Sequence, residues 1–251
     1  MLFQQNCQII ENRQIAPDRF KLIFESPDIA AASKPGQFLN VRCNDTDFPL
    51  LRRPFGVHRI SNNNVSIIYE IKGSGTKTLS KQNPSTLLDV IGPLGHGFDL
   101  NLTKDTAVLV GGGMGIAPLM FLAQELIRIG KKIYVLIGAK TKDFVICEED
   151  FKNLGAEVFV ATEDGSYGEQ GLITNILLKT LGFTTYACGP MPMLGEIAKI
   201  SNKNNVVCQL SLEEFMCCGL GGCFSCVCQT KHGFQRVCKE GPVFDSKEII
   251  F

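Results

Sequence analysis

The apolar positions of the first hundred residues fall in short runs, each bounded by Gly, Pro, Asn or Asp. Residues 5–15, 19–26, 36–43 and 64–72 read as strands, and 87–95 as a returning strand. Such closely spaced strands predict a small antiparallel β-barrel. One short helix is expected from about Gly75-Thr76, because Thr76 to Gln82 contains no breaker. Near residue 105 the pattern changes. An uninterrupted apolar run at 107–110 precedes helical spacing of Leu119, Leu122, Ala123, Leu126 and Ile127 within 116–129. Strands at 133–139, 157–162, 184–189 and 206–212 then alternate with helices at 144–154, 171–181 and 192–201. That alternation predicts an α/β unit with a doubly wound parallel sheet. The remaining forty or so residues are cysteine-rich and too short to fold alone without a metal. The expected division is 1–102, 103–207 and a small C-terminal cap at 208–251.

Composition narrows the field. Apolar residues make up 45% of the 251, enough for a real core, and 25 basic residues balance 25 acidic ones. No basic stripe points to nucleic acid and no Lys/Arg cluster flanks an apolar span, so neither nucleic acid nor membrane is expected as a partner. Residues 106–124 carry no charge, yet five breakers (Gly111, Gly112, Gly113, Gly115, Pro118) make them a strand, a turn and a helix instead of a membrane span. The N-terminus lacks the charged region and cleavage site of a signal peptide. Eleven cysteines, seven of them within residues 208–238, argue against a disulfide framework and for a thiolate-bound metal centre in a reducing cytoplasm.

Two features carry chemistry. In the first, Gly112-Gly113-Met114-Gly115 lies between an apolar strand and a helix, where glycine N–H groups and the helix N-terminus suit a pyrophosphate. The best match to a dinucleotide fingerprint is 113–118, with Pro118 in the sixth position; a tight turn that binds nothing is the plain alternative. The acidic residue of that fingerprint is missing after the second strand, where Lys140 and Lys142 stand, so NAD and NADP both remain open. Glu163-Asp164 and Cys188-Gly189-Pro190 end later parallel strands, where ligands of such sheets bind; turn caps and a buried cysteine are their plainer readings. In the second, Cys218, Cys223 and Cys226 form C-x4-C-x2-C, with Cys238 eleven residues on. This local spacing suits a [2Fe–2S] cluster, and Gly219, Gly221 and Gly222 let the loop turn N–H groups toward sulfur. A zinc site and inert thiols are the alternatives; three ligands in nine residues favour iron–sulfur.

Eight short motifs, in order and spacing, carry a resemblance along nearly the whole chain. They are 50–55 (LLRRPF), 73–76 (GSGT), 92–98 (GPLGHGF), 111–119, 164–168 (DGSYG), 186–190 (YACGP), 211–214 (SLEE) and 241–244 (GPVF). On these the chain resembles the electron-transfer subunits of B-type dihydroorotate dehydrogenase, in the ferredoxin–NADP reductase superfamily. The resemblance implies FAD on the barrel, with Arg53, Pro54, Phe55, Gly56, Gly75 and Thr76 at the flavin and its pyrophosphate, and Ile68, Tyr69 and Glu70 along it. It implies NAD as substrate at Gly112, Gly113, Met114, Gly115, Glu163, Asp164, Cys188, Gly189 and Pro190, with Cys188 at the reacting centre, and it favours NAD over NADP. Cys218, Cys223, Cys226 and Cys238 are the implied cluster ligands. The implied partner is an FMN-containing subunit that oxidises dihydroorotate, in a two-plus-two heterotetramer. Other flavin iron–sulfur reductase subunits, and a zinc-capped binding module, are the competing functions. Two departures stand out: Gly56 where the family has Ser or Thr, and acidic Glu70 where a basic residue would better face phosphate. His58, His96 and His232 read as structural.

Overall fold

The computed structural model describes residues 1–44 and 48–251. Strands β1 (Phe3–Ala16), β2 (Arg19–Glu25), β3 (Phe38–Val41), β4 (Arg53–Gly56), β5 (Arg59–Ser61), β6 (Asn64–Glu70) and β7 (Leu87–Leu94) make an antiparallel sheet in the order β4-β3-β7-β1-β2-β6-β5. It curls into a half-barrel, and β4 at one edge returns against β6. Alternation along β1 and β2 sends Cys7, Ile9, Leu22 and Phe24 into one core, which Val65 and Ile67 join from β6, a strand buried on both faces. Helices α1 (Pro27–Ala32) and α2 (Ser74–Leu79) fill the connections.

The second sheet contains β8 (Thr106–Gly112), β9 (Lys132–Ala139), β10 (Glu157–Thr162), β11 (Glu169–Gln170), β12 (Thr184–Cys188) and β13 (Cys208–Ser211). A hairpin, β14 (Val227–Thr230) and β15 (Gly233–Arg236), follows, and β16 (Val243–Asp245) then completes the sheet. Its order is β11-β10-β9-β8-β12-β13-β16, parallel except for β16, which lies antiparallel to β13. On β8, Ala107 and Leu109 pack with α3 (Leu119–Arg128) and α4 (Glu148–Asn153). Val108 and Val110 pack with α5 (Ile173–Leu177) and α6 (Met191–Lys203) on the opposite face. The sheet is therefore doubly wound, and its strand order reverses between β8 and β12. Both strands end at that point in glycine turns, which places a ligand crevice there.

Several elements differ from expectation. The helix anticipated at 144–154 begins only at Glu148, because Cys147 is left-handed (φ +64°) and a short 3-10 turn at Lys142–Phe144 precedes it. The one anticipated at 171–181 is cut to Ile173–Leu177 and a 3-10 turn at Leu178–Thr180. Strands β4 and β5, four and three residues long, gave no pattern to read. Strand β13 closes the parallel series, as the apolar run at 206–212 predicts, and β16, from the cysteine-rich C-terminal segment, pairs with it there.

Candidate functional site

A cleft of about 430 Å³ opens between the half-barrel and the second sheet. Arg53, Pro54, Phe55, Gly56, Ile68, Tyr69, Glu70 and Thr76 line its barrel side. Met114, Pro118 and Cys188 line its sheet side, and 211–214 with Met216 close it. Arg53 folds over the start of α2, where a Cβ on Gly75 would come 3.0 Å from its Nε. Its guanidinium donates to two neutral backbone carbonyls, of Leu51 (2.6 Å) and Arg52 (3.2 Å), leaving its charge for an anion. The Thr76 hydroxyl accepts from the Lys72 and Gly73 amides and so orders the same turn. Tyr69 is buried, stacks on Phe20 and donates to Asn12 Oδ1, so its ring supports the cleft wall from inside.

The departures now have physical partners. A Cβ on Gly56 would stand 2.9 Å from Cβ of Pro118, so Gly56 lets the barrel edge sit on the N-cap residue of α3. Glu70 faces Lys72 (3.5 Å) and Arg19 (3.8 Å), so its charge is balanced by this chain's own cations.

A second cleft, of about 650 Å³, adjoins the first and shares Glu70, Lys72, Met114 and Glu213 with it. Gly112, Gly113, Met114, Gly115, Glu163, Gly189 and Pro190 line it. The crossing of the two strand ends is close: a Cβ on Gly115 would stand 2.3 Å from the Cys188 carbonyl oxygen. Gly113 takes φ +55° in open space, so conformation rather than room calls for glycine there. A 3-10 turn at Gly113–Ile116 separates this loop from α3. Cys188 is fully buried, and burial, reinforced by the charge of Glu213, pushes its thiol far up, so it stays protonated. Asp164 is exposed and accepts from the Ser166 amide (3.0 Å) and hydroxyl (2.7 Å), shaping its own turn outside the cleft lining.

The cysteines sit on a loop that leaves the flank of the first cleft. Cys223 lies within hydrogen-bonding reach of Cys218, and Cys238 of Cys226. The Leu220 amide points at Cys218 Sγ and the Cys238 amide at Cys226 Sγ, both at 3.4 Å. Hydrogen bonds from Ser225 and then Cys218 lower the exposed Cys223 thiol to about 6. Among the described residues no group of three or more His, Cys, Asp or Glu side chains is arranged to hold a metal ion. The four sulfurs instead fall in two pairs. Two pairs of soft thiolates, with amides turned to sulfur, suit two bridged irons in place of one central ion. Gly219 (φ +67°) and Gly221 (φ +82°) make the turns. Arg236 ties the loop to the hairpin, donating to Gly221 O (2.6 Å) and lying over Phe224.

Histidines join the parts. His58 Nδ1 donates to the Ala117 carbonyl (2.7 Å), linking barrel to sheet; His96 Nδ1 donates to that of Lys239 (2.8 Å), linking barrel to cap. Arg19, Lys72, Glu213 and Met216 line the clefts without having been singled out as site residues. The motif at 211–214 was visible in the sequence, but only the fold brings it to the junction of both clefts. Glu213 is open to cleft water yet walled by protein on most sides, and that loss of bulk solvent raises its carboxyl despite Lys72 nearby.

A half-barrel joined to a doubly wound sheet, with adjoining clefts at the switch point, defines an oxidoreductase of the ferredoxin–NADP reductase fold. Residues 109–199 match the family described as "Oxidoreductase NAD-binding domain", and 213–250 the "Iron-sulfur cluster binding domain of dihydroorotate dehydrogenase B". The "Dihydroorotate dehydrogenase B (NAD(+)), electron transfer subunit" of Caldanaerobacter subterraneus is 39% identical over the whole of both chains; that of Fusobacterium nucleatum is 39% identical over 98% of each. The chain belongs to this family of electron transfer subunits. A solved NADH-dependent reduced ferredoxin-NADP oxidoreductase, studied for flavin-based electron bifurcation, superposes with TM-score 0.87 at 29% identity, covering 97% of this chain and 89% of that one. A ferredoxin NADP+ reductase of Neisseria gonorrhoeae, solved with FAD and NADP, shares the fold at TM-score 0.67, 16% identity and coverage of 80% and 91%.

Proposed function

We propose that this chain carries electrons from a dihydroorotate-oxidising, FMN-containing partner subunit to NAD⁺, using a [2Fe–2S] cluster and FAD, in a two-plus-two heterotetramer. The observation that carries this reading is the segment 211–216. Its residues 211–214 and Met216 line the first cleft, Glu213 lines both clefts, and the segment leads directly into the paired cysteines. When bound, FAD exchanges electron pairs with nicotinamide and single electrons with a cluster.

The chain's own residues supply the rest. Arg53 gives the FAD pyrophosphate a guanidinium fork, and Gly75 and Thr76 shape the turn beside it. Ile68, Tyr69 and Glu70 form the wall along the flavin, with Pro54, Phe55 and Gly56 at the barrel edge. Gly112 to Gly115 bring backbone amides to the nicotinamide nucleotide, Glu163 reaches it from the end of β10, and Asp164 holds that turn in shape. Cys188, Gly189 and Pro190 close the reacting end, where Cys188 acts as a neutral thiol and not as a nucleophile. Cys218, Cys223, Cys226 and Cys238 hold the cluster. Residues 1–102, 103–207 and 208–251 thus serve FAD, NAD and the cluster in turn, with β13 and β16 shared between sheet and cap. Among the described residues no helix is long and apolar enough to cross a membrane. Eleven unpaired cysteines support a reducing, cytoplasmic setting.

The test is an anaerobic reconstitution. The purified chain is expected to show flavin absorption with a broad iron–sulfur shoulder. It should oxidise NADH with an artificial acceptor, and couple dihydroorotate oxidation to NAD⁺ reduction only when the partner subunit is added. Conversion of dihydroorotate by this chain alone would overturn the division of labour, and a colourless, folded, zinc-containing protein would overturn the redox reading.

A further inference from the structure

Asn40 occupies the middle of β3, opposite Pro54 of β4 and two residues from Phe38 of the first cleft. It is 1% exposed, a polar side chain inside an otherwise apolar strand. Its Nδ2 donates to the carbonyl of Cys218, 178 positions away, at 2.9 Å. Its Oδ1 is buried with no hydrogen-bond partner among the described residues. The backbone of the cysteine loop comes so near that a Cβ on Gly219 would stand 2.6 Å from Nδ2. Leaving one end of a buried amide unsatisfied is costly, whereas an aliphatic side chain of similar shape carries no such cost. A residue with this penalty needs an offsetting role, and its one bond points at a cluster ligand.

We propose that Asn40 is a positioning residue for the iron–sulfur cluster, holding the turn at 218–220 against the flavin-side strands through its bond to the Cys218 carbonyl. The proposal deepens the function given above and rests on its iron–sulfur reading. Fixing that carbonyl fixes the peptide between Cys218 and Gly219, from which the left-handed Gly219 (φ +67°) turns the next peptide so that its Leu220 amide points at Cys218 Sγ. Amides directed at sulfur help set a cluster's potential. Asn40 therefore acts on the cluster's electronic state through the loop, and it ties the loop to the strand paired with Arg53–Gly56, so that cluster and flavin keep one separation.

The test compares the anaerobically purified full chain with Asn40→Leu and Asn40→Asp. Leucine removes the donor and the orphaned acceptor together; aspartate keeps the shape and removes the donor. Both variants are expected to hold FAD at the wild-type ratio; Asn40→Leu should melt close to wild type, and Asn40→Asp lower, because it buries an unpaired carboxylate. Their reduced clusters should give a shifted EPR spectrum and an altered midpoint potential, and a chelator should strip the cluster about fivefold faster, the effect of one lost hydrogen bond. Wild-type EPR, potential and stripping rate in both variants would overturn the proposal while leaving the iron–sulfur reading intact. Loss of FAD and of thermal stability in step with the cluster, in both variants, would make Asn40 a general core residue and overturn it equally. A wild-type chain with no cluster signal would remove the iron–sulfur reading and the proposal together.

Discussion

At Gly115 the demand is steric and comes from backbone on the far side of the crevice. A side chain there meets the Cys188 carbonyl oxygen at 2.3 Å and the Gly189 amide at 2.6 Å, and neither can rotate away. Gly115→Val is therefore expected to cost about 1–3 kcal/mol of stability, as overpacking does. Spreading β8 from β12 should raise KM for NADH about tenfold or more, for a loss of some 1.4 kcal/mol in binding. Calorimetry and steady-state kinetics with an artificial acceptor check the two parts. His58 makes a different demand. Burial pulls its pKa from the ordinary 6.5 down to about 4, so the folded chain keeps it neutral. As pH falls, the unfolded chain takes up this proton first. The contribution is whole above about pH 6.5 and drains away down to about pH 4, at roughly 1.4 kcal/mol per pH unit. Between pH 7 and 5 the wild-type melting temperature should fall further than that of His58→Gln; parallel curves would mean His58 does not stay neutral in the fold.

At the scale of elements, the contact of β4 with the start of α3 joins barrel to sheet through Gly56 and Pro118. Gly56→Ser drives a Cβ onto a rigid ring and should cost about 1–2 kcal/mol. Pro118→Gly removes the opposing carbons, so the double variant should lose less than the sum of the singles, a coupling that denaturant midpoints would reveal. This contact also shows what the sequence made legible. The departure at Gly56 could be read at once, but its reason lay 62 positions away. The strands and the glycine turn were legible because apolar runs and breakers are local signals. The boundaries of α4 and α5 were not, because one left-handed residue, Cys147, and a tightened last turn override helical spacing. Strands β4 and β5 escaped because Arg-Pro-Phe-Gly and Arg-Ile-Ser are too short and too polar to show alternation. The cysteine spacing was legible as chemistry. The buried Asn40 was not, since nothing local marks an asparagine as facing a loop from the other end of the chain.

Across the whole molecule, three cofactor regions meet in series, and each should be separable by substitution. Cys223→Ser is expected to abolish the cluster EPR signal and to cut partner-driven NAD⁺ reduction at least about a hundredfold, while NADH oxidation by a two-electron dye through FAD stays near wild type. Parallel loss of both activities would mean that the cap holds the flavin site together as well. The sheet suggests that it does not. The cysteine loop is an excursion from the sheet edge whose two ends are clamped by the antiparallel pairing of Ser211 with Val243 and Leu210 with Phe244. Its ends stay together whether or not iron is present, so most of the entropy of closing it is already accounted for by the sheet. A chain stripped of its cluster is therefore expected to keep both sheets folded, so that iron and sulfide restore the EPR signal without a refolding step.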